Sequence, residues 1–209
     1  MAGTTLGHRF DKLRPMKHLH GRQAFVELLI SEGVTHLFGN PGTTELPIMQ
    51  AMPDYPDLRF ILGLQESVVV AMADGFARAS HQLTAANVHV APGLGNAMGA
   101  LYNAKFSGSP IILTAGQQEQ GHGLQEPLLY EPLAPMAAPL VKWATEVTRI
   151  EDLPRVMRRA ERRSSWTARA PSRWAGYPWT CCSPISPACR MRGWAAPSRC
   201  GGAGFPRTK

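Results

Sequence analysis

Residues 1–180 contain no cysteine, and residues 162–209 contain no aspartate or glutamate. The first absence removes disulfide and thiolate chemistry from most of the chain. The four cysteines that do occur, Cys181, Cys182, Cys189 and Cys200, match neither CxxC pairs nor a Cys/His zinc pattern. The second absence explains the charge. A formal net charge of +7 suggests nucleic acid or an acidic surface as a partner. Yet nine of the 22 basic residues lie in 162–209; the other 13 face 15 acids in residues 1–161, a net of −2. The body is slightly acidic, and the basicity belongs to the tail. Trp166, Trp174, Trp179 and Trp194 are in that tail too, leaving Trp143 alone in the body. Scattered Arg and Trp without periodicity are not a recognition module, so no nucleic-acid partner is expected. No hydrophobic run is long enough to span a bilayer. The N-terminal residues carry no apolar core followed by a small-residue cleavage site. The expectation is a cytoplasmic chain with reduced thiols and no membrane partner.

What is present is alternation. Residues 1–17 show no periodicity and read as a leader. Gly21 to Gly33 places Ala24, Leu28 and Leu29 on one helical face. Short apolar strands follow at His36–Gly39, Phe60–Leu64, Ala85–Val90 and Pro110–Ala115, the second read as buried. Between them lie helical stretches at Leu46–Met52, Glu66–Arg78 and Ala97–Lys105. Leu140–Ala144 reads as a further short strand, and Glu151 opens a last helix with acids in its first turn, which suits the helix dipole. Residues 116–139 read as loop. Apolar strands alternating with helices predict an α/β doubly wound fold, with a mainly parallel sheet covered on both faces and a disordered C-terminal tail.

Several polar residues fall where strands end. Phe38-Gly39-Asn40-Pro41-Gly42-Thr43-Thr44-Glu45 reads as a strand running into a glycine turn that opens a helix. Arg59 to Glu66 delivers one carboxylate to a strand end, and a glutamate is rarely buried without a partner. His89 closes the third strand. In an open α/β sheet, ligands bind outside the carboxyl ends of the strands, so Thr43, Glu66 and His89 could meet on one rim. Each also has a plainer reading: Thr43 as a helix cap, His89 as a structural histidine, and His122, in Gly121-His122-Gly123, as an exposed loop residue. Gly93-Leu94-Gly95-Asn96-Ala97-Met98-Gly99 is one residue too long for a dinucleotide fingerprint and reads as small residues letting a helix pack closely. There is no Walker A lysine.

Residues 18–162 resemble the N-terminal, pyrimidine-binding domain of thiamine diphosphate-dependent enzymes, the group of acetolactate synthase and benzoylformate decarboxylase. The resemblance rests on Phe38-Gly39-Asn40-Pro41-Gly42, Leu64-Gln65-Glu66, Ala73-Asp74-Gly75-Phe76-Ala77-Arg78, the Gly93–Gly99 stretch and Thr114-Ala115-Gly116-Gln117-Gln118. His89 and Pro139-Leu140-Val141-Lys142-Trp143 lean towards the benzoylformate decarboxylase branch. The resemblance implies thiamine diphosphate as cofactor, a 2-keto acid as substrate and a homo-oligomer. It gives Glu66 a hydrogen bond to the ring nitrogen of the aminopyrimidine, because a carboxylic acid in a dry site can share its proton there. The cofactor then serves as electron sink for decarboxylation. His89 matches a histidine near the substrate, and Thr43 a serine that orients the substrate carboxylate, with an added methyl. Pro41, Gly42, Gly93 and Asn96 match the cofactor's surroundings. The family's Gly-Asp-Gly…Asn motif, which holds diphosphate and Mg²⁺ in another domain, is absent from this sequence. The chain therefore reads as one domain of three, a decarboxylase portion inactive alone. A piece of an acetolactate synthase-like carboligase and a non-catalytic, partner-binding remnant are the other readings.

The change of composition near Arg163 reads as a shifted frame. Taking the last base of each codon with the first two of the next, Trp166-Thr167 forces Asp, and residues 165–172 permit Met-Asp-Gly-Pro-Gly-Pro-Val. Residues 174–182 permit Gly-x-Leu-Pro-Met-Asp-Leu-Leu, which resembles the strand closing this domain in the family. Residues 163–209 are accordingly expected to be an unstructured tail, with the sheet left without its closing strand.

Overall fold

The structure, a computed structural model, describes residues 19–164 together with the backbone of residues 174–180. The elements follow in the order α1 (Gly21–Ser31), β1 (His36–Gly39), α2 (Leu46–Ala51), β2 (Arg59–Leu62), α3 (Glu66–Ser80), β3 (Thr84–Val88), α4 (Val90–Ser107), β4 (Ile111–Gln117), α5 (Gln120–Gly123), α6 (Leu133–Ala137), β5 (Trp143–Ala144), α7 (Leu153–Ser164) and β6 (Trp174–Thr180). The six strands form one sheet in the order β2-β1-β3-β4-β6-β5, and every neighbouring pair is parallel. The α/β class with a parallel sheet covered on both faces is therefore observed.

Alternation along each strand divides the core. Leu37, Ala85 and Ile112 face one side, where α1, α2 and α7 contribute Phe25, Leu28, Leu29, Ile48, Leu153 and Met157. Phe38, Ala86, Val88, Leu113 and Ala115 face the other, against Val69, Val70, Ala73, Leu94, Ala97 and Leu101 of α3 and α4. Period two in the strands and near 3.6 in the helices generate both layers from the same apolar runs. Consecutive parallel strands need crossovers. Here α2 returns the chain from β1 to β2 on one face, and α3 carries it from β2 back past β1 to β3 on the other. The chain thus reverses its direction of travel across the sheet between β1 and β3, which makes their carboxyl ends a topological switch point.

Four expectations are corrected. The second strand, β2, is an edge strand rather than a buried one: Arg59 and Leu62 are exposed and Phe60 and Ile61 half-buried. The stretch 91–96, between the strand expected to end at Val90 and the helix expected to start at Ala97, lies inside α4, which begins at Val90. Gly93 donates its N–H to the His89 carbonyl at 2.8 Å, and Leu94 and Ala97 are buried, so burial outweighs the low helix propensity of two glycines. Residues 116–139 include the last residues of β4 and the short helices α5 and α6, the latter anchored by buried Leu133 and Ala137. Finally, the position expected to lack a closing strand is filled, because the backbone of Trp174–Thr180 pairs with β4 on one side and β5 on the other. The rest of the tail, including all four cysteines, and the leader through residue 18 lie outside the described residues.

Candidate active site at the β1/β3 switch point

Three chain segments meet at the switch point: the turn after β1, the N-terminus of α3 and the junction of β3 with α4. The sequence-predicted residues Glu66, His89, Gly42, Gly93 and Asn96 are brought together there. Two separate carboxyl environments result.

The first is built around Glu66. It is the first residue of α3, whose N-cap Gln65 accepts the backbone N–H groups of Ser67 and Val68 through its side-chain oxygen at 2.8 and 3.3 Å. A carboxylate in the first turn is favoured by the helix dipole. Glu66 is 7% exposed. Asn40 Nδ2 donates to its Oε1 at 3.0 Å and Asn96 Nδ2 to its Oε2 at 3.0 Å. Gly93 faces the carboxyl closely, since a Cβ there would lie 3.2 Å from Oε1. Asn40, from the turn after β1, was part of a recognised motif but had been given no role. It holds the same carboxyl that Asn96 reaches from the second turn of α4.

The second environment was not anticipated. Glu45, in the short helical turn Thr43–Glu45 before α2, is 1% exposed. Its Oε2 accepts the backbone N–H of Gly42 at 2.8 Å and lies 2.7 Å from His89 Nδ1. Its Oε1 accepts the Thr44 hydroxyl at 2.6 Å, and Thr44 Oγ1 is itself 3.1 Å from His89 Nδ1. A carboxylate only accepts, so Nδ1 carries the proton in this contact. Nε2 of the ring is then the nitrogen available for proton exchange. Gly42 is needed here for space, because a Cβ on it would overlap the His89 ring. His89 N-caps α4 in extended conformation, and the next residue, Val90, has φ +43. A β-branched residue in the left-handed region is strained, and this sharp strand-to-helix turn presents the His89 side chain at the rim. Below it, buried Asn87 donates through Nδ2 to Thr114 Oγ1 at 2.9 Å, and its Oδ1 has no partner among the described residues.

Thr43 stands on the same turn but is exposed, and Gly42 rather than Thr43 caps the turn. Pro41 is half-buried beside it. His122 lies apart on α5 and is exposed, with its backbone N–H donated to Glu119 Oε2 at 2.9 Å. Hydrogen bonds from the backbone of Gly121 and His122 hold the Glu119 carboxyl below the usual glutamate pKa. Among the described residues no three of His, Cys, Asp or Glu come together as a metal site, and no helix is long and apolar enough to cross a membrane.

Known proteins resemble this chain in sequence and in fold. Benzoylformate decarboxylase of Pseudomonas aeruginosa is 45% identical over 157 residues, covering 75% of this chain and 29% of its own length. Acetolactate synthase isozyme 3 large subunit of Escherichia coli is 30% identical over 145 residues, covering 69% of this chain and 25% of its own. Among solved structures, the thiamine diphosphate-dependent 4-hydroxybenzoylformate decarboxylase of Rhodococcus jostii RHA1 superposes with a TM-score of 0.67 at 39% identity, over 77% of this chain and 30% of that one. The chain thus spans under a third of the length of the relatives it matches. The family described as thiamine pyrophosphate enzyme, N-terminal TPP binding domain, matches residues 19–129, so by sequence and by fold the chain belongs to the thiamine diphosphate-dependent enzymes, as their N-terminal cofactor-binding domain.

Proposed function

We propose that this chain supplies the aminopyrimidine side of a thiamine diphosphate site that decarboxylates a 2-keto acid, and that Glu66 is its proton-sharing carboxyl. One observation carries the reading: Glu66 is buried, and the hydrogen-bond partners of its two oxygens are the neutral amides of Asn40 and Asn96. The two amides anchor the carboxyl without the full charge that an arginine or lysine partner would place beside it, which suits a carboxyl that is to meet a bound ring nitrogen. The close approach of Gly93 leaves this carboxyl unobstructed by a side chain. These residues suit a ring nitrogen that must be hydrogen-bonded in a dry place. When bound, the cofactor supplies the electron sink for loss of carbon dioxide. Glu66 holds the shared proton at its carboxyl; His89, with Nδ1 fixed by Glu45, exchanges protons with the substrate through Nε2; Thr43 offers its hydroxyl to the substrate carboxylate. The 45% identity to a benzoylformate decarboxylase, against 30% to an acetolactate synthase, favours an aromatic 2-keto acid over carboligation.

Diphosphate and Mg²⁺ are assigned to groups outside the described residues, and the 209-residue chain alone is expected to show no steady-state turnover. Sustained decarboxylation of benzoylformate by the purified chain would overturn that. Pairing with a second copy belongs to the same proposal. Gly75 of α3 and Gly95 and Gly99 of α4 have open space where a side chain would stand, with Tyr102 and Phe106 exposed on α4. Glycine inside a helix costs about 1 kcal/mol relative to alanine, and close approach of another subunit is a use for that space. The Glu66 assignment is tested by ¹³C NMR of labelled glutamate carboxyls during titration with thiamine diphosphate. A Glu66 resonance that moves, and a response that disappears in Glu66→Gln, are expected; an unmoved Glu66 resonance at saturating cofactor would sink the assignment.

A further inference from the structure

Gly116 lies inside β4, where all seven residues are buried. Its neighbours in that strand, Ile111 to Ala115 and Gln117, all carry side chains. Glycine in a strand interior weakens the strand, so its presence marks a bend or a close approach. No backbone demand explains it here: among the described glycines only Gly33 and Gly108 have positive φ. Space does explain it. A Cβ on Gly116 would overlap Glu45 Oε1 and Thr44 Oγ1 outright and would come within 2.9 Å of Thr44 Cβ. Alternation puts Gly116 on the same face as Ile112 and Thr114, the face from which the turn carrying Thr44 and Glu45 descends. That turn therefore rests on bare strand backbone, and from there Glu45 reaches His89 Nδ1 at 2.7 Å.

We infer that Gly116 is a positioning residue for His89: the missing side chain is the seat for Thr44 and Glu45, and this seat fixes His89 as its Nδ1–H tautomer with Nε2 turned to the rim. This rests on the proton-transfer role proposed above for His89, and it adds a residue from a third strand that acts on the ring through Thr44 and Glu45. Filling the seat pushes Glu45 and Thr44 off Nδ1. The ring is then free to take the Nε2–H form that neutral imidazole prefers in water, in which Nε2 can no longer accept a proton.

The tautomer is read directly from long-range ¹H–¹⁵N correlation spectra of the ¹⁵N-labelled 209-residue chain, with the ring neutral and no cofactor present. His89→Gln identifies the His89 signals. Wild type is expected to show a pyrrole-type Nδ1 and a pyridine-type Nε2, and Gly116→Ala to lose that pattern. A folded Gly116→Ala protein that keeps the Nδ1–H form overturns the inference. If wild type itself lacks the Nδ1–H form, the proton-transfer role of His89 fails as well, so the two failures are distinguishable. Should Gly116→Ala fail to fold, it is placed in a Thr44→Ala, Glu45→Ala background. Removal of the seated atoms is expected to restore a cooperative melt. An equal loss in both backgrounds overturns the inference, because coupling between contacting sites is what a seat requires.

Discussion

Glu66 and Glu45 are buried carboxyls at the same edge of the same sheet, on opposite faces of it, and their surroundings differ. Glu66, on the α3/α4 side, is held by two amides that contribute no charge. Glu45, on the α1/α2 side, is bound to a backbone N–H, a hydroxyl and an imidazole. The first arrangement leaves the Glu66 carboxyl facing the bare backbone of Gly93, which suits the bound base proposed above. The second engages the Glu45 carboxyl three times within the protein, which suits the orienting role proposed for it. Burial alone does not distinguish a catalytic carboxyl from an orienting one; the partners do.

The contrast can be broken most forcefully at Glu66. In a chimera where this domain replaces its counterpart in the Pseudomonas benzoylformate decarboxylase, Glu66→Gln is expected to lower kcat roughly 10²–10⁴-fold, the usual contribution of a positioned acid–base group. Its melting temperature should stay close to the parent's, since glutamine keeps the shape, its one amide oxygen still accepts from one asparagine, and the other asparagine can turn its own amide oxygen to the new NH2. Turnover near the parent's would remove the distinction between the two carboxyls.

At Glu45 the expectation is reversed, with stability as the main readout. Glu45→Ala strips the acceptor from the Gly42 N–H and the Thr44 hydroxyl, and leaving buried donors unsatisfied costs about 1–3 kcal/mol. Urea unfolding of the 209-residue chain should register this as a lower midpoint with an unchanged slope. An unaltered midpoint would mean that the cluster is not formed in solution.

The two amides sharpen the comparison further. Asn40 is half-buried and Asn96 exposed, so water can replace Asn96 more easily than Asn40. Asn40→Leu is expected to cost about 1 kcal/mol and Asn96→Leu less, on the scale of a single hydrogen bond. The reverse order, in the same urea measurement, would point to Asn96 as the main anchor of Glu66.

The smallest effect expected lies at the opposite end of β1. His36 packs on Phe76 with ring centroids 4.4 Å apart, and burial, aided by the charge of Arg59, holds its imidazole below the usual histidine pKa. The unfolded chain therefore takes up this proton first as the pH falls. Its stability contribution is fully present above about pH 6.5 and declines as the pH drops below it. His36→Gln should flatten the pH dependence of the urea midpoint between about pH 7 and 5. A slope identical to wild type would show that His36 titrates alike in both states.

Much of this was legible in the chain. Glycine and proline punctuation between short apolar runs marked the first four strands, and the same pattern put Glu66 and His89 at the ends of strands in a parallel sheet. These are local features, with periods of two and near 3.6, and they survive into the fold because burial rewards them wherever the elements go. Glu45 was readable only as one more acid near a helix start, Thr44 as the second of two threonines, and Gly116 as part of a motif with no evident purpose. Their meaning depends on contacts across 44 or more positions of chain, and no local period encodes those. The start of α4 was misread for a related reason: glycines at 93 and 95 look like a loop until the Glu66 carboxyl and the buried face of the helix are in place. The sequence by itself determined where the first four strands fall and which polar residues stand near their ends, because those follow from side-chain chemistry and spacing. The tertiary structure decided which carboxyl two asparagine amides hold and which one a histidine and a threonine hold, because that depends on what each one touches.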